Sequence, residues 1–384
     1  TTFHEEADGV LGVRVAEGGG RDPFVFDMSG MPSQAAVDAA VAHGLEACAK
    51  PFELSVAPPF VVHLYKTGDR SFVLMLLVDH IIFDGWSFGV LLNELSQLYS
   101  ARTEPADAVL PRTRSDYMTV TSRARTRAIA AAGREESFTF WSRFLAELGP
   151  PPLLPSQRPR APVQAVDRTS LDFALDDRVA RDAEEISRRH GVTLFAVLLA
   201  AVAVVLGRRA EVSDLLFKTA VAGRDDGDSL DLIGLFRKVI MLRLDLGENP
   251  DVAELLARAR AASMGVLTHL DVAGGPILVN ELMKRGVLKE RPRLPVSVIL
   301  QNYPMPRPTM AGLDVEPLLV SYGGDSEDLG LVFTTEGGGL SVKANFNRAL
   351  FDPDYIGAIA TAVGEAVRAM AARPEARAWD LDAG

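Results

Sequence analysis

FVLMLLVDHIIFDGWSFGVLLNEL, residues 72–95, decides the reading of this chain. A nearly continuous apolar run ends in Asp79 and His80, and three more apolar residues separate these from Asp84 and Gly85. An apolar run of this kind over residues 71–79 predicts a strand covered on both faces. The polar cluster at its end then sits at an edge where a cleft can open. A histidine there can take a proton from an incoming nucleophile near neutral pH. Gly85 permits a sharp change of chain direction. The plainer alternative is that His80, Asp79 and Asp84 satisfy one another and cap the next helix. That helix is marked by Phe88, Leu91, Leu92, Leu95, Leu98 and Tyr99, spaced three and four apart, and Ser87 is its expected N-cap.

A chain of 384 residues fits two packed domains or one large one. With 48% apolar and 24% charged residues it has the make-up of a soluble globular protein. The one cysteine, Cys48, excludes an intrachain disulfide framework and makes a cytoplasmic location the expectation. No apolar run reaches membrane-spanning length, and LFAVLLAAVAVVLG, residues 194–207, has the length of a buried helix. No signal peptide is recognisable, and the opening TTFHEEADG, without methionine, reads as part of something longer. The net charge of −11 argues against a nucleic-acid or anionic-membrane partner. Basic residues nevertheless cluster at Arg112, Arg114, Arg123, Arg125 and Arg127, either as a solvated helical face or as a docking patch for an acidic partner.

The strongest punctuation is LGPPPLLPSQRPRAPVQ, residues 148–164, an extended connection that divides an N-terminal lobe (1–155) from a C-terminal lobe (156–384). Before it, a helix is expected over 35–50 and strands over 58–66 and 71–79, split by a turn at 67–70; a second helix spans 135–148. After it, strands are expected at 167–175, 215–223, 238–246, 294–303, 327–337 and 340–350. Helices are expected at 176–190, ended by Gly191, at 252–267 and at 353–371, and Thr193 caps a further one. Strands and helices mix in both lobes, so the class is α/β or α+β with mixed sheets.

The residues His80-Ile81-Ile82-Phe83-Asp84-Gly85 resemble the HxxxDG signature of the acyltransferases that include chloramphenicol acetyltransferase. With Trp86-Ser87 they resemble the condensation domains of nonribosomal peptide synthetases. The similarity extends through PFELSVAPPF (51–60), SDYMTV (115–120), FTFWSRFLAEL (138–148), AGRDD (222–226), IGLFRKVIMLRLDL (233–246), RPRLPVSVILQNYP (291–304) and VKANFNRALFD (342–352). Thr1-Thr2-Phe3 resembles the tail of an early family segment, which implies that the family's first several dozen residues are absent here.

The resemblance implies two chloramphenicol-acetyltransferase-like lobes in a V with a central tunnel. Donor and acceptor carrier proteins would bring a thioester and an amine on phosphopantetheine arms, beside adjacent synthetase domains of an antibiotic or siderophore pathway. No cofactor would be bound directly. His80 would take the proton of the acceptor amine or orient it. Asp84 would form a structural salt bridge, with Arg224 as the matching arginine rather than Arg237 or Arg243. The backbone of Gly85 would support the oxyanion. Asp79, Trp86, Ser87 and Asn302 would line the tunnel, although Asn302 also reads as a strand-end residue bonded to its neighbours.

Three departures stand out. Asp79 occupies the place of the usual first histidine, and a carboxylate there favours a protonated imidazole if the two interact. Asp79, Asp84 and Ser87 also satisfy the DxxxxDxxS pattern of heterocyclization domains, an alternative beside a non-catalytic relative that recruits a partner protein. Finally, Gly234-Leu235-Phe236-Arg237-Lys238-Val239 carries two cations where the family has an apolar residue and an amide. The other histidines have no metal-ligand spacing, so no metal is expected. The glycine runs at 18–20 and 337–339 read as turns.

Overall fold

The structure is a computed structural model and describes residues 1–5, 11–15, 22–56, 58–103, 110–111, 113–132, 134–145, 153–160, 167–270, 276–301, 308–318 and 327–381. The chain gathers into two compact units. The first comprises residues 1–117, 226–236 and 304–322; the second comprises 118–225, 237–303 and 323–384. Two short segments far along the sequence thus belong with the N-terminal unit, and the described part of the proline-rich stretch lies inside the second.

The first unit contains β1 (Thr2–Glu5), β2 (Leu11–Arg14), β3 (Phe24–Asp27), α1 (Ser33–Cys48), β4 (Phe60–Lys66), β5 (Phe72–Val78) and α2 (Gly85–Thr103). The first two strands form an antiparallel ribbon, and the other three form a sheet in the order β3-β4-β5. In it β3 is parallel to β4, and β4 is antiparallel to β5. The turn expected at 67–70 is present, with Thr67 N donating to Ser71 O at 2.9 Å.

The expectation that the strand before His80 is covered on both faces is overturned. Among the described residues it is the last strand of its sheet, and on one face Phe72 and Leu74 are 53% and 47% exposed. Its seven apolar residues hide the alternation that exposure shows, because a continuous apolar run reads alike whether one face or two are covered.

The second unit contains α3 (Tyr117–Ala132, its first residue in the other unit), α4 (Glu135–Phe144), β6 (Arg168–Ala174), α5 (Asp177–His190), α6 (Leu194–Ala210), β7 (Asp214–Val221) and β8 (Lys238–Asp245). It continues with α7 (Val252–Thr268), α8 (Pro276–Lys284), β9 (Val296–Gln301), β10 (Leu329–Glu336), β11 (Gly339–Asn347) and α9 (Pro353–Ala372). Its strands form one mixed sheet in the order β6-β11-β10-β9-β7-β8, with β9 parallel to both neighbours. The sequence-expected strands and helices of this region are present within a few residues. The short helix α8 and the strands β1, β2 and β3 are additions that the sequence pattern does not announce.

Helix α6 is buried from Ala196 to Gly207 without interruption, which accounts for its lack of a polar face. It starts where Thr193 Oγ1 accepts from Ala196 N, and the preceding helix stops at Gly191 in the left-handed region at φ 60°. The turn between β10 and β11 is the two-residue Gly337-Gly338, both at positive φ, as a tight hairpin requires.

In the first unit, His43 on α1 and His63 on β4 each place Nδ1 2.9 Å from the hydroxyl of Tyr65, which is wholly buried. One hydroxyl has one proton, so it donates to one ring and accepts from the other. Burial, and then the neighbouring His43 ring, push the His63 imidazole below its ordinary 6.5. The folded state therefore binds fewer protons than the unfolded chain. The stability this neutral ring contributes is complete above about pH 6.5 and is lost as the pH falls through the lower folded value. Thermal unfolding between about pH 7 and pH 5 should show a fall in Tm that His63→Gln flattens; an identical slope in the variant would remove this assignment.

Candidate active site

The motif begins where β5 ends. Asp79 N donates to Pro59 O at 2.8 Å, continuing the pairing of β4 and β5 by one step. A single 3₁₀ turn, His80–Ile82, follows, and Asp79 caps it by accepting from Ile81 N at 2.9 Å. The Asp79 carboxylate is thus engaged by the backbone of its own turn.

His80 is exposed, and its Nδ1 hydrogen-bonds the carbonyl oxygen of Phe83. A carbonyl only accepts, so Nδ1 carries the proton, and in the neutral ring Nε2 is left as the acceptor. This is the tautomer in which a histidine can receive a proton at Nε2.

Asp84 is 3% exposed and accepts at both carboxylate oxygens. Oδ1 receives Ser87 N at 2.8 Å and Ser87 Oγ at 2.7 Å, and Oδ2 receives Phe236 N at 2.9 Å. The expected capping role of Ser87 is therefore corrected: α2 opens at Gly85, two residues earlier, and Asp84 accepts the first-turn amide. A carboxylate outcompetes a hydroxyl here because it accepts at two oxygens and its charge complements the helix N-terminus. The Ser87 hydroxyl also accepts from Gly234 N at 3.0 Å and lies 2.9 Å from Gly234 O, so its one proton is shared between that carbonyl and Asp84 Oδ1.

The segment 226–236 is held at further points of the same unit. Trp86 Nε1 donates to Leu230 O at 2.9 Å, Ser115 Oγ to Asp228 Oδ2 at 2.9 Å, and Tyr117 Oη to Leu235 O at 3.1 Å. The ring of Tyr117 lies against Gly234 so closely that a Cβ there would sit 2.3 Å from it. Position 234 therefore needs glycine for close approach. Glu94 on α2 is held above the ordinary carboxylate range, first by burial and then by the like charge of Asp231.

Of the residues singled out from sequence, Asp79, His80, Asp84, Gly85, Trp86 and Ser87 lie together around this turn and helix start. Arg224 belongs to the second unit, where it is 9% exposed. Arg243 pairs with Asp214 at 2.6 Å within that unit. Asn302 and Arg112 lie outside the described residues. Sequence reasoning did not anticipate that Phe236 and Gly234 would meet the motif; the glycine before an aromatic in the family-like GLF triplet was the available signal. Among the described residues no cluster of three or more His, Cys, Asp or Glu could hold a metal ion, and no single helix is long and apolar enough to cross a membrane.

Comparison with known proteins gives the same answer for the family. The family model described as "Condensation domain" matches residues 23–383. A linear gramicidin synthase of Brevibacillus parabrevis is 33% identical over 312 residues; the match covers 80% of this chain and 6% of that synthetase, so the chain spans a small part of such proteins. Among solved structures, the X-domain in its complex with OxyB from teicoplanin biosynthesis superposes with a TM-score of 0.81 at 22% identity, covering 100% of this chain and 84% of that one. The first condensation domain of the calcium-dependent antibiotic synthetase, in complex with a substrate analogue, gives 0.75 at 19% identity, covering 99% and 85%. The mixed α/β fold is the one these domains share, and the chain belongs to the condensation-domain family of nonribosomal peptide synthetases.

Proposed function

We propose that this domain forms an amide bond between a donor acyl or peptidyl thioester and an acceptor amine, both delivered on phosphopantetheine arms of carrier proteins. The observation that carries this reading is the exposed His80 ring, held in one tautomer by the Phe83 carbonyl. In the reaction the amine nitrogen bonds to the thioester carbonyl carbon and the carbon–sulfur bond breaks. Nε2 of His80 receives the amine proton and returns it to the departing thiolate. Gly85 opens α2, where a backbone N–H has no intrahelical acceptor and can support the developing oxyanion. Asp84 and Ser87 hold the turn in shape and are positioning residues. Cytoplasmic location goes with this reading.

A second reading, a non-catalytic domain that recruits a partner protein, is favoured by Asp79 in the place of a histidine. The fold shared with an X-domain is compatible with it. The other motive for that reading, the cation pair after Phe236, is weakened because Lys238 has a structural partner in Asp225.

His80→Ala is expected to slow condensation by about 10²–10⁴-fold with the circular dichroism spectrum and Tm retained. Intact-protein mass spectrometry of a loaded carrier pair reads the result, and near-normal turnover by the variant removes the catalytic role. A product lighter by one water with a cysteine, serine or threonine acceptor would instead indicate heterocyclization.

Ser87→Ala breaks the hydroxyl contacts to Asp84 and Gly234 in a buried place. It should cost about 1–3 kcal/mol in denaturant unfolding; a midpoint within error of the parent would refute this account of the turn.

Helix α3 carries Arg123, Arg125 and Arg127, all exposed, and no acidic residue. Reversing the charges of Arg123 and Arg127 should weaken carrier-dependent turnover, more so at low salt. Unchanged turnover at every ionic strength would leave the patch a solvated face.

A further inference from the structure

The second half of α2 and the segment around Pro308 border a cavity of about 270 Å³ within the first unit. Pockets for whole small ligands run from about 300 to 1,000 Å³, so this one takes a fragment of a larger molecule. Leu92 and Pro308 give it an apolar wall; the rest of its lining among the described residues is polar and uncharged. Two hydroxyls one helical turn apart are committed in opposite senses. Ser96 Oγ donates to Leu92 O at 2.7 Å, so it has only lone pairs left to offer. Ser100 Oγ accepts from Ala311 N at 3.1 Å and keeps its proton to donate. Beside them stand Asn93 and Gln97, also one turn apart, whose side-chain amides are bonded to no described residue.

We infer that this cavity is a subsite for a neutral peptide unit, and that the donor this domain handles is peptidyl, with its upstream residues held here. The assignment to the donor rests on the proposed condensation activity; the recognition of an amide does not. A carboxylate or an ammonium is disfavoured because the lining holds no counter-charge, and a desolvated charge needs one. A plain acyl chain fits badly, because it would set hydrocarbon against the lone pairs of Ser96 and the proton of Ser100. A peptide unit carries one donor and one acceptor, the complement of those two hydroxyls, and its flanking carbons suit Leu92 and Pro308. Position along the helix agrees. Asn93 stands two turns beyond Gly85, a rise of ~12 Å, which three or four extended residues span. The peptide unit bound there is therefore one behind the reacting thioester.

The test follows backbone amide chemical shifts of the 384-residue chain during three titrations. The probes are N-acetyl-triglycine methylamide, a neutral peptide; methyl octanoate, an apolar chain; and pantetheine. The peptide is expected to shift the amides of 92–100 and 309–311 saturably, and the ester to leave them unmoved. Ser96→Ala removes the acceptor and Gln97→Met an amide, both with good helix formers. Each should weaken peptide binding about fivefold with Tm retained. No saturable shift, equal shifts with the ester, or unchanged affinity in both variants overturns the inference. Tighter binding of pantetheine than of the peptide assigns the cavity to a carrier arm and overturns it as well. In amide formation a tripeptidyl donor should show a lower KM than an octanoyl donor, and Ser96→Ala should erase that difference; equal KM values in the parent remove the donor assignment. A parent that forms no amide bond removes the proposed activity, while the titrations still decide the subsite.

Discussion

A single buried carboxylate organises the region that matters. Asp84 accepts from the amide and hydroxyl of Ser87 through one oxygen and from the amide of Phe236 through the other. A buried carboxylate is tolerated only when its lone pairs are met by donors, and here these bonds also serve structural ends. The bond from the Ser87 amide satisfies one of the donors that every first turn leaves open, and the Phe236 amide draws in a segment 152 residues further along the chain. The turn bearing His80 is thus bounded on both sides by fixed backbone: the pairing of β4 with β5 before it and the Asp84 cap after it.

That rigidity has a chemical consequence. An imidazole serves as base or acceptor only through the nitrogen that carries no proton, and the carbonyl of Phe83 selects which one that is. Phe83 stands between the 3₁₀ turn and Asp84, so the carbonyl that sets the tautomer lies one residue before the carboxylate that starts α2. Asp79 does related work from the other side. Its side chain is turned to the amide of Ile81, which is the bond a short polar residue makes most readily at the start of a turn.

The six-stranded sheet of the second unit rests on a different principle. Its central helix α6 is apolar all round because it is covered all round, and β9 runs parallel to both its neighbours. A parallel neighbour requires a long crossover, and the chain between β9 and β10 makes it through residues 304–322, which belong to the first unit. The loop between β7 and β8 does likewise with residues 226–236. Both excursions come from strands of one sheet, and both were invisible as such in the sequence.

By itself the sequence determined what depends on near neighbours. The signature around His80, the cap at Thr193, the stop at Gly191 and the buried length of α6 all follow from side chains within a turn or two of one another. It also sufficed for the family, because the matching motifs keep their order along the chain. Tertiary structure alone decided three things. It decided which acceptor claims the first amides of α2, because Asp84 and Ser87 compete within three residues and only the distant Phe236 amide and Gly234 carbonyl complete both sets of bonds. It decided that one face of β5 is left open at Phe72 and Leu74, because seven apolar residues in a row carry no period to distinguish one covered face from two. It brought His43 and His63 to one tyrosine hydroxyl, since a helix and a strand meet at places that no local spacing encodes.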